Sequence, residues 1–369
     1  MPSIDVCMRL ATTFAPTLVI FPEKQDKVPY DEPRPLPKHT GDYYPCPVEL
    51  VLDNFWLCRG RRRFRQPWSI RRGRPRSFSS EREWLFALVK QGKPLSDAVI
   101  NLKGVDVNCP TTAWDTYFSI ISHPLSRRED AHPYPVVTYA RVLSGQDIEA
   151  AGQALPNGYN SEDFAIQYWF FYYYNYWWNL HEMDWEMITL IVRSAGNDQW
   201  EPLKAGYAAH MSGHQRQWSR VHCNPEAPSS PLVFVAAGSH ASYFEHKVGG
   251  YYVVTRQVIH IPWLRRLIRR IIRRLPFDLL NDNMVDIVPP ETPGRFVRPQ
   301  ILLMPSNPAR DDPQWWWMHF PGMWGEKPGK SVDLGDADLT LINEGPHGPW
   351  KQGLRWNNPF LWIEKCRAD

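Results

Sequence analysis

The sequence predicts a mainly β protein, a β-sandwich with long proline-rich loops and a few peripheral helices. Three observations carry this. The run FAIQYWFFYYYNYWWNLHEMDWEMITLIVR at 164–193 places eleven aromatic residues between Phe164 and Trp178 and ends in β-branched residues, the types that strands favour. The 369-residue chain holds 35 Pro, 18 Trp, 16 Tyr and 16 Phe, with few long helical periodicities, a balance typical of strands linked by irregular loops. Short apolar runs recur at 17–21, 48–57, 136–143 and 231–244. One domain spanning 1–369 is expected, because no linker divides the chain and no repeat is visible.

The opening MPSIDVCMRLATTFAPTLVIFP contains Asp5 and no uninterrupted apolar stretch, so no signal peptide is expected. No segment reaches 18 uncharged apolar residues, so no membrane span is expected either. The six cysteines are scattered without a CxxC pair. Together these favour a cytoplasmic protein with reduced thiols. TLVIF reads as a first strand stopped by Pro22, followed by a Pro-rich path to Pro47 and a second strand-like run, VELVLDNFWL, at 48–57.

Net charge is only +3, yet residues 59–76 carry nine Arg with Phe64 and Trp68 interleaved. A solvated loop is the first reading; an anionic lipid surface and nucleic acid are the others. Without a recognised nucleic-acid module, nucleic acid ranks last. Ser79 or Ser80 can cap a helix EREWLFALVKQG that Gly92 can end. Residues 93–118 read as a loop with Asp106 and Asp115 solvated. VVTYARVL at 136–143 reads as a strand, and Asn157-Gly158 as a turn before the central segment.

That segment reads as two strands joined by a polar connection bearing His181, Glu182, Asp184 and Glu186. In extended chain Asp184 and Glu186 face the same way, and His181 can join them from the preceding turn. Such a His/Asp/Glu set suits a divalent cation. A solvated connection is the competing reading. Against it, the two acids bracket Trp185 and run into MITLIV, and like charges entering a core need a countercharge or a metal.

Downstream, 205–223 supplies His210, His214 and His222, and the apolar run 231–237 leads to His240, a second contributor to the site or a structural hydrogen-bonding residue. At about 262–275 a basic amphipathic helix is expected. Leu264, Leu267, Ile268, Ile271, Ile272 and Leu275 form one stripe, and Arg265, Arg266, Arg269, Arg270, Arg273 and Arg274 the other, with Pro276 as a stop. It can dock on the protein's own core or lie in a membrane interface. The Trp-rich stretches 314–329 and 344–362 are expected to seal sheet edges and loops.

QYWFFYYYN at 167–175, HEMDWE at 181–186, AGSHASYF at 237–244, FPGMWG at 320–325, EGPHGPWKQGLRW at 344–356 and APTLVIFPE at 15–23 resemble, in order, the family called vacuolar protein sorting-associated protein 62. The chain departs from that family's pattern at Met183, where Gly is common, and at Tyr174, where Pro precedes the Asn. The HEMDWE motif also resembles, more distantly, that of the necrosis- and ethylene-inducing toxin-like proteins, whose β-sandwich motif ends in HDWE. That resemblance implies a divalent cation held by His181, Asp184 and Glu186. The toxin family's upstream acidic ligand has no counterpart, because no acid lies between Asp163 and His181. His210, His240, Glu182 or water would complete the site.

The functional expectation is therefore a divalent-metal-dependent enzyme, Mg²⁺ or Ca²⁺ ahead of Mn²⁺, with Glu182 and His240 as general acid/base candidates. Tyr168, Phe170, Tyr172, Tyr174 and Trp185 would line an apolar pocket for a hydrophobic or amphipathic, lipid-like or isoprenoid-like molecule. The alternative is a non-enzymatic metal-binding protein that associates peripherally with membranes, in trafficking or membrane perturbation. Reaction class and oligomeric state are left open.

Overall fold

The computed structural model describes residues 2–21, 43–59, 77–106, 110–121, 134–175, 181–196, 199–209, 212–248, 287–288, 294–325 and 346–369. The fold is a mixed one with more strand than helix. In chain order the described strands are β1 Thr17–Ile20, β2 Phe55–Arg59, β3 Ala98–Leu102, β4 Val137–Ser144, β5 Phe164–Asn175, β6 His181–Gly196, β7 Gln199–Ala209, β8 Ser212–Gln217, β9 Cys223–Asn224, β10 Ala227–Val235, β11 Ser242–Tyr243, β12 Lys247–Val248, β13 Ile287–Val288, β14 Arg295–Val297, β15 Gln300–Leu303, β16 Met323–Trp324 and β17 Arg367–Ala368. The described helices are α1 Ile4–Thr13, α2 Glu49–Leu52, α3 Glu81–Lys90, α4 Pro110–Ile121, α5 Gly145–Ala150, α6 Leu354–Asn357 and α7 Pro359–Lys365.

The body is a seven-stranded sheet in the order β15-β4-β5-β6-β7-β8-β17. Its middle, β4 to β8, is an antiparallel meander, and its edges β15 and β17 are parallel to their neighbours. The aromatic run predicted as a strand is β5, and the β-branched run is the second half of β6. The polar residues between them are not a connection: HEMDWE is the first part of β6. The β5–β6 register sets Tyr172 opposite Asp184, Phe170 opposite Glu186 and Asn175 opposite His181. Directly opposed residues share a face. The parity argument for Asp184 and Glu186 therefore holds, and both acids share a face with Tyr168, Phe170, Tyr172 and Tyr174.

From that face side chains reach α1 and strand β10, which belongs to a second sheet ordered β11-β10-β1-β14 with β9 paired to β10. The Tyr168 hydroxyl donates to the Ala11 carbonyl at 3.0 Å, and the Tyr207 hydroxyl to that of Leu232 at 3.0 Å. Tyr207 also stacks on Phe244 at 3.8 Å. The opposite face carries Phe171 and Trp185, which meet Trp324 and Trp317 at 5.5 and 6.0 Å. The Trp-rich C-terminal stretches thus cover a sheet face rather than sealing edges, because three indoles need a broad apolar surface to bury.

Two other expectations are corrected. Residues 48–57 are helix then strand: Leu50, Val51 and Leu52 are all buried in one helical turn, α2, and Asp53-Asn54 turns the chain into β2. The loop expected over 93–118 contains β3 and most of α4, where Pro110 takes the first helical position. The helix expected from residue 81 is α3, capped by the Ser80 hydroxyl accepting from Glu83 N–H at 3.1 Å and followed by Gly92 at φ +63°. Residues 60–76, His210 and the basic segment 262–275 lie outside the described residues. Among the described residues no helix is long and apolar enough to cross a membrane, and Cys7, Cys46, Cys223 and Cys366 are free thiols.

Candidate functional site

The site lies where the β5–β6 hairpin meets the turn after β10. That turn is closed by Ala236 N–H donating to Ala241 O and His240 N–H donating to Ala236 O, both at 3.0 Å. It places Gly238 at φ +80° and His240 at φ +58°. Histidine enters this left-handed region more readily than most side chains. The turn brings the His240 ring flat against Tyr172, centroids 4.0 Å apart and planes 8° apart. Its Nδ1 stands 3.8 Å from Asp184 Oδ2, an ion-pair distance longer than a hydrogen bond.

Asp184 is 8% exposed and His181 6%, slightly more than Glu186, Asn175 and His240. Asp184 Oδ1 accepts from the Trp185 backbone N–H at 2.9 Å. His181 Nδ1 lies 2.6 Å from the Met183 carbonyl. A carbonyl only accepts, so in the neutral ring Nδ1 carries the proton and Nε2 presents its lone pair. A backbone carbonyl fixing the tautomer in this way is the usual support of a metal-binding imidazole. Met183 itself sits at φ +56° and is fully buried. The chain keeps a left-handed conformation there although a side chain replaces the expected glycine.

One residue without a role in the sequence reading sits at the centre. The Asn175 amide nitrogen is 2.7 Å from His181 Nε2 and 3.4 Å from Asp184 Oδ2. Two electron-pair donors thus converge on one amide NH₂ group. His181 and Asp184 are brought together around it, and His240 approaches Asp184 Oδ2.

Glu186 is buried further along the same strand. The Arg355 guanidinium is pushed below its ordinary pKa by desolvation and drawn back up by Glu186, Cys366 and Asp184. Nothing in the motif HEMDWE points to an Arg more than 160 positions away. Glu182 is fully buried, and its Oε2 accepts the Leu102 backbone N–H at 3.2 Å. It ties β6 to β3. Burial, then the Glu182 charge, raise the Tyr173 phenol well above its ordinary range. Gly325 closes over this strand, since a Cβ there would lie 2.0 Å from the Glu182 carbonyl oxygen.

Tyr168, Phe170, Tyr172 and Tyr174 are each 0% exposed and Trp185 2%, all within the main core. Their rings form part of the packed aromatic body of the sheet. A described cleft of about 590 Å³ lies elsewhere, at Tyr159, Arg193, Lys204, Trp218 and Glu364. Among the described residues no group of three or more His, Cys, Asp or Glu side chains is arranged to hold a metal ion. The chain matches no family model, no curated protein and no solved structure.

Proposed function

We propose that this chain is a divalent-cation-dependent enzyme acting on a hydrophobic or amphipathic small molecule, with its centre at His181 and Asp184. The observation that carries this reading is the convergence of His181 Nε2 and Asp184 Oδ2 on a single point at the more exposed end of an otherwise buried polar cluster. Burying such groups is costly unless they act together or bind something. Two left-handed non-glycine residues, Met183 and His240, flank the same carboxylate, and backbone strain of this kind gathers at functional sites.

His181 and Asp184 would hold the cation. When bound it supplies Lewis acidity toward a phosphate or carbonyl oxygen. His240 is the proton carrier, oriented by Tyr172 stacking on one side and Asp184 on the other. Glu182 leaves the catalytic set, since its carboxylate is committed to β3 inside the body. Glu186 supports the centre through its charge on Arg355. The substrate reaches the centre from the Asp184 and His181 side, because the aromatic strand leaves no room beneath. The resemblance to sandwich-type families belongs to the same proposal: the five-stranded sheet laid on the seven-stranded one serves as the scaffold.

A thermal-shift series on chelator-stripped protein tests this. Mg²⁺, Ca²⁺ or Mn²⁺ at millimolar concentration raises Tm of the wild type, by linkage between binding and folding, and leaves Asp184→Asn unmoved. Equal responses of the two proteins sink the proposal.

A further inference from the structure

We propose that Asn175 is itself a cation ligand: its amide turns over to present Oδ1 and, with His181 Nε2 and Asp184 Oδ2, completes a three-donor site for a divalent cation. This rests on the reading above and adds to it a residue and a ligand class.

The argument starts from what occupies the convergence point. Asn175 Nδ2 lies 2.7 Å from Nε2 and 3.4 Å from Oδ2, so a group bearing partial positive charge stands where two lone pairs meet. That is the electrostatic role of a cation, played weakly by an amide. The amide is planar, with a donor and an acceptor of nearly equal size on its two ends. Rotation about its last torsion, which is broad and roughly two-fold, exchanges them without moving the strand. With Oδ1 inward, three electron-pair donors face one another, an arrangement that a bound cation makes favourable. The amide therefore satisfies the site when no cation is bound and ligates when one is.

The backbone supports this division of labour. Asn175 and His181 are a directly opposed pair across the hairpin, which fixes the separation of their side chains. His181 is held in its tautomer by the Met183 carbonyl, and Asp184 keeps Oδ1 on the Trp185 N–H. Each group commits one end to the protein and directs the other inward. Two oxygens and one imidazole nitrogen suit Mn²⁺, Mg²⁺ or Ca²⁺ ahead of thiophilic ions. Three protein donors leave coordination positions for water and substrate.

Calorimetric titration of the full chain with MgCl₂, CaCl₂ and MnCl₂ tests the assignment in wild type, Asn175→Ala, Asn175→Asp and Asp184→Asn. Asn175→Ala weakens binding by about tenfold or more, in the range seen when groups around a metal site are removed. Asn175→Asp lowers Tm without cation, because a second carboxylate then faces Asp184, and recovers it with cation, binding about tenfold tighter than wild type. Unchanged affinity in both Asn175 variants, with binding lost in Asp184→Asn, overturns the assignment while the cation centre stands. No binding by any protein overturns both. If Asn175→Asp does not fold, the affinity of Asn175→Ala decides.

Discussion

Met183 and His240 are the described non-glycine residues with left-handed backbones; Met183 immediately precedes Asp184, and His240 Nδ1 lies 3.8 Å from its Oδ2. For Met183 two terms compete. The left-handed conformation costs an L-residue roughly 1–2 kcal/mol, whereas a buried Met side chain is worth about 2–5 kcal/mol against Ala. Packing wins, so Met183→Gly is expected to lower stability even as it relaxes the backbone. Met183→Ala loses the same packing and keeps the strain, and should be less stable than Met183→Gly by about 1 kcal/mol. Urea denaturation of the pair checks the order; an Ala variant as stable as the Gly variant contradicts it. At Glu364 burial raises the carboxyl pKa, but bonds from Lys204 and Tyr159 outweigh it and leave the pKa below 4.5. The folded state therefore binds this proton more weakly than the unfolded chain. The contribution is complete above the unfolded value and is lost as pH falls through the lower folded value. Glu364→Gln should flatten the stability profile below about pH 4.5 by under about 1 kcal/mol, the group being partly exposed. An unchanged acid profile would falsify the ion-pair account.

At the scale of elements, the β5–β6 hairpin delivers the site and α7 holds the opposite face. Strands β7 and β8 admit α7 through glycines: a Cβ on Gly206 would lie 2.7 Å from Ile363 Cγ1, and one on Gly213 would lie 2.6 Å from Cys366 Sγ. Gly206→Ala is expected to cost about 1–3 kcal/mol by overpacking. Ile363→Ala in the same chain should recover part of that loss, a coupling a double-mutant cycle measures; strict additivity speaks against the contact. The sequence made β5 and the second half of β6 legible because aromatic and β-branched runs state their conformation locally. Asp184 and Glu186 sharing a face was legible too, from period-two alternation. The register was not. Which residue opposes Asp184 depends on hairpin length, and so Asn175, lying outside HEMDWE, carried no role. The tie from Glu182 to β3 was hidden for a related reason: the Leu102 backbone N–H that its Oε2 accepts lies 80 positions upstream, and backbone donors leave no mark on composition. VELVLDNFWL was read as one strand because a four-residue buried helical turn and a buried strand look alike in hydropathy.

Across the whole molecule, one seven-stranded sheet reaches α1 and β10 from its site-bearing face and Trp317 and Trp324 from the other. The aromatic residues of β5 and β6 are buried on both faces of that sheet. Burying each such ring contributes about 1.5–3 kcal/mol, which is why they pack rather than stay open. The basic segment 262–275 bears on location instead. Replacing Arg269, Arg270, Arg273 and Arg274 by Gln should abolish sedimentation with acidic liposomes if that stripe meets lipid, and unchanged sedimentation argues for docking on protein. The cation centre is the central claim, and elemental analysis tests it most directly. Wild type and Asp184→Asn, purified in parallel and dialysed with Mg²⁺, Ca²⁺ and Mn²⁺, are compared for bound metal per chain. The account predicts a stoichiometric divalent cation in the wild type and its loss in Asp184→Asn; a metal-free wild type, or equal loading of both, contradicts it.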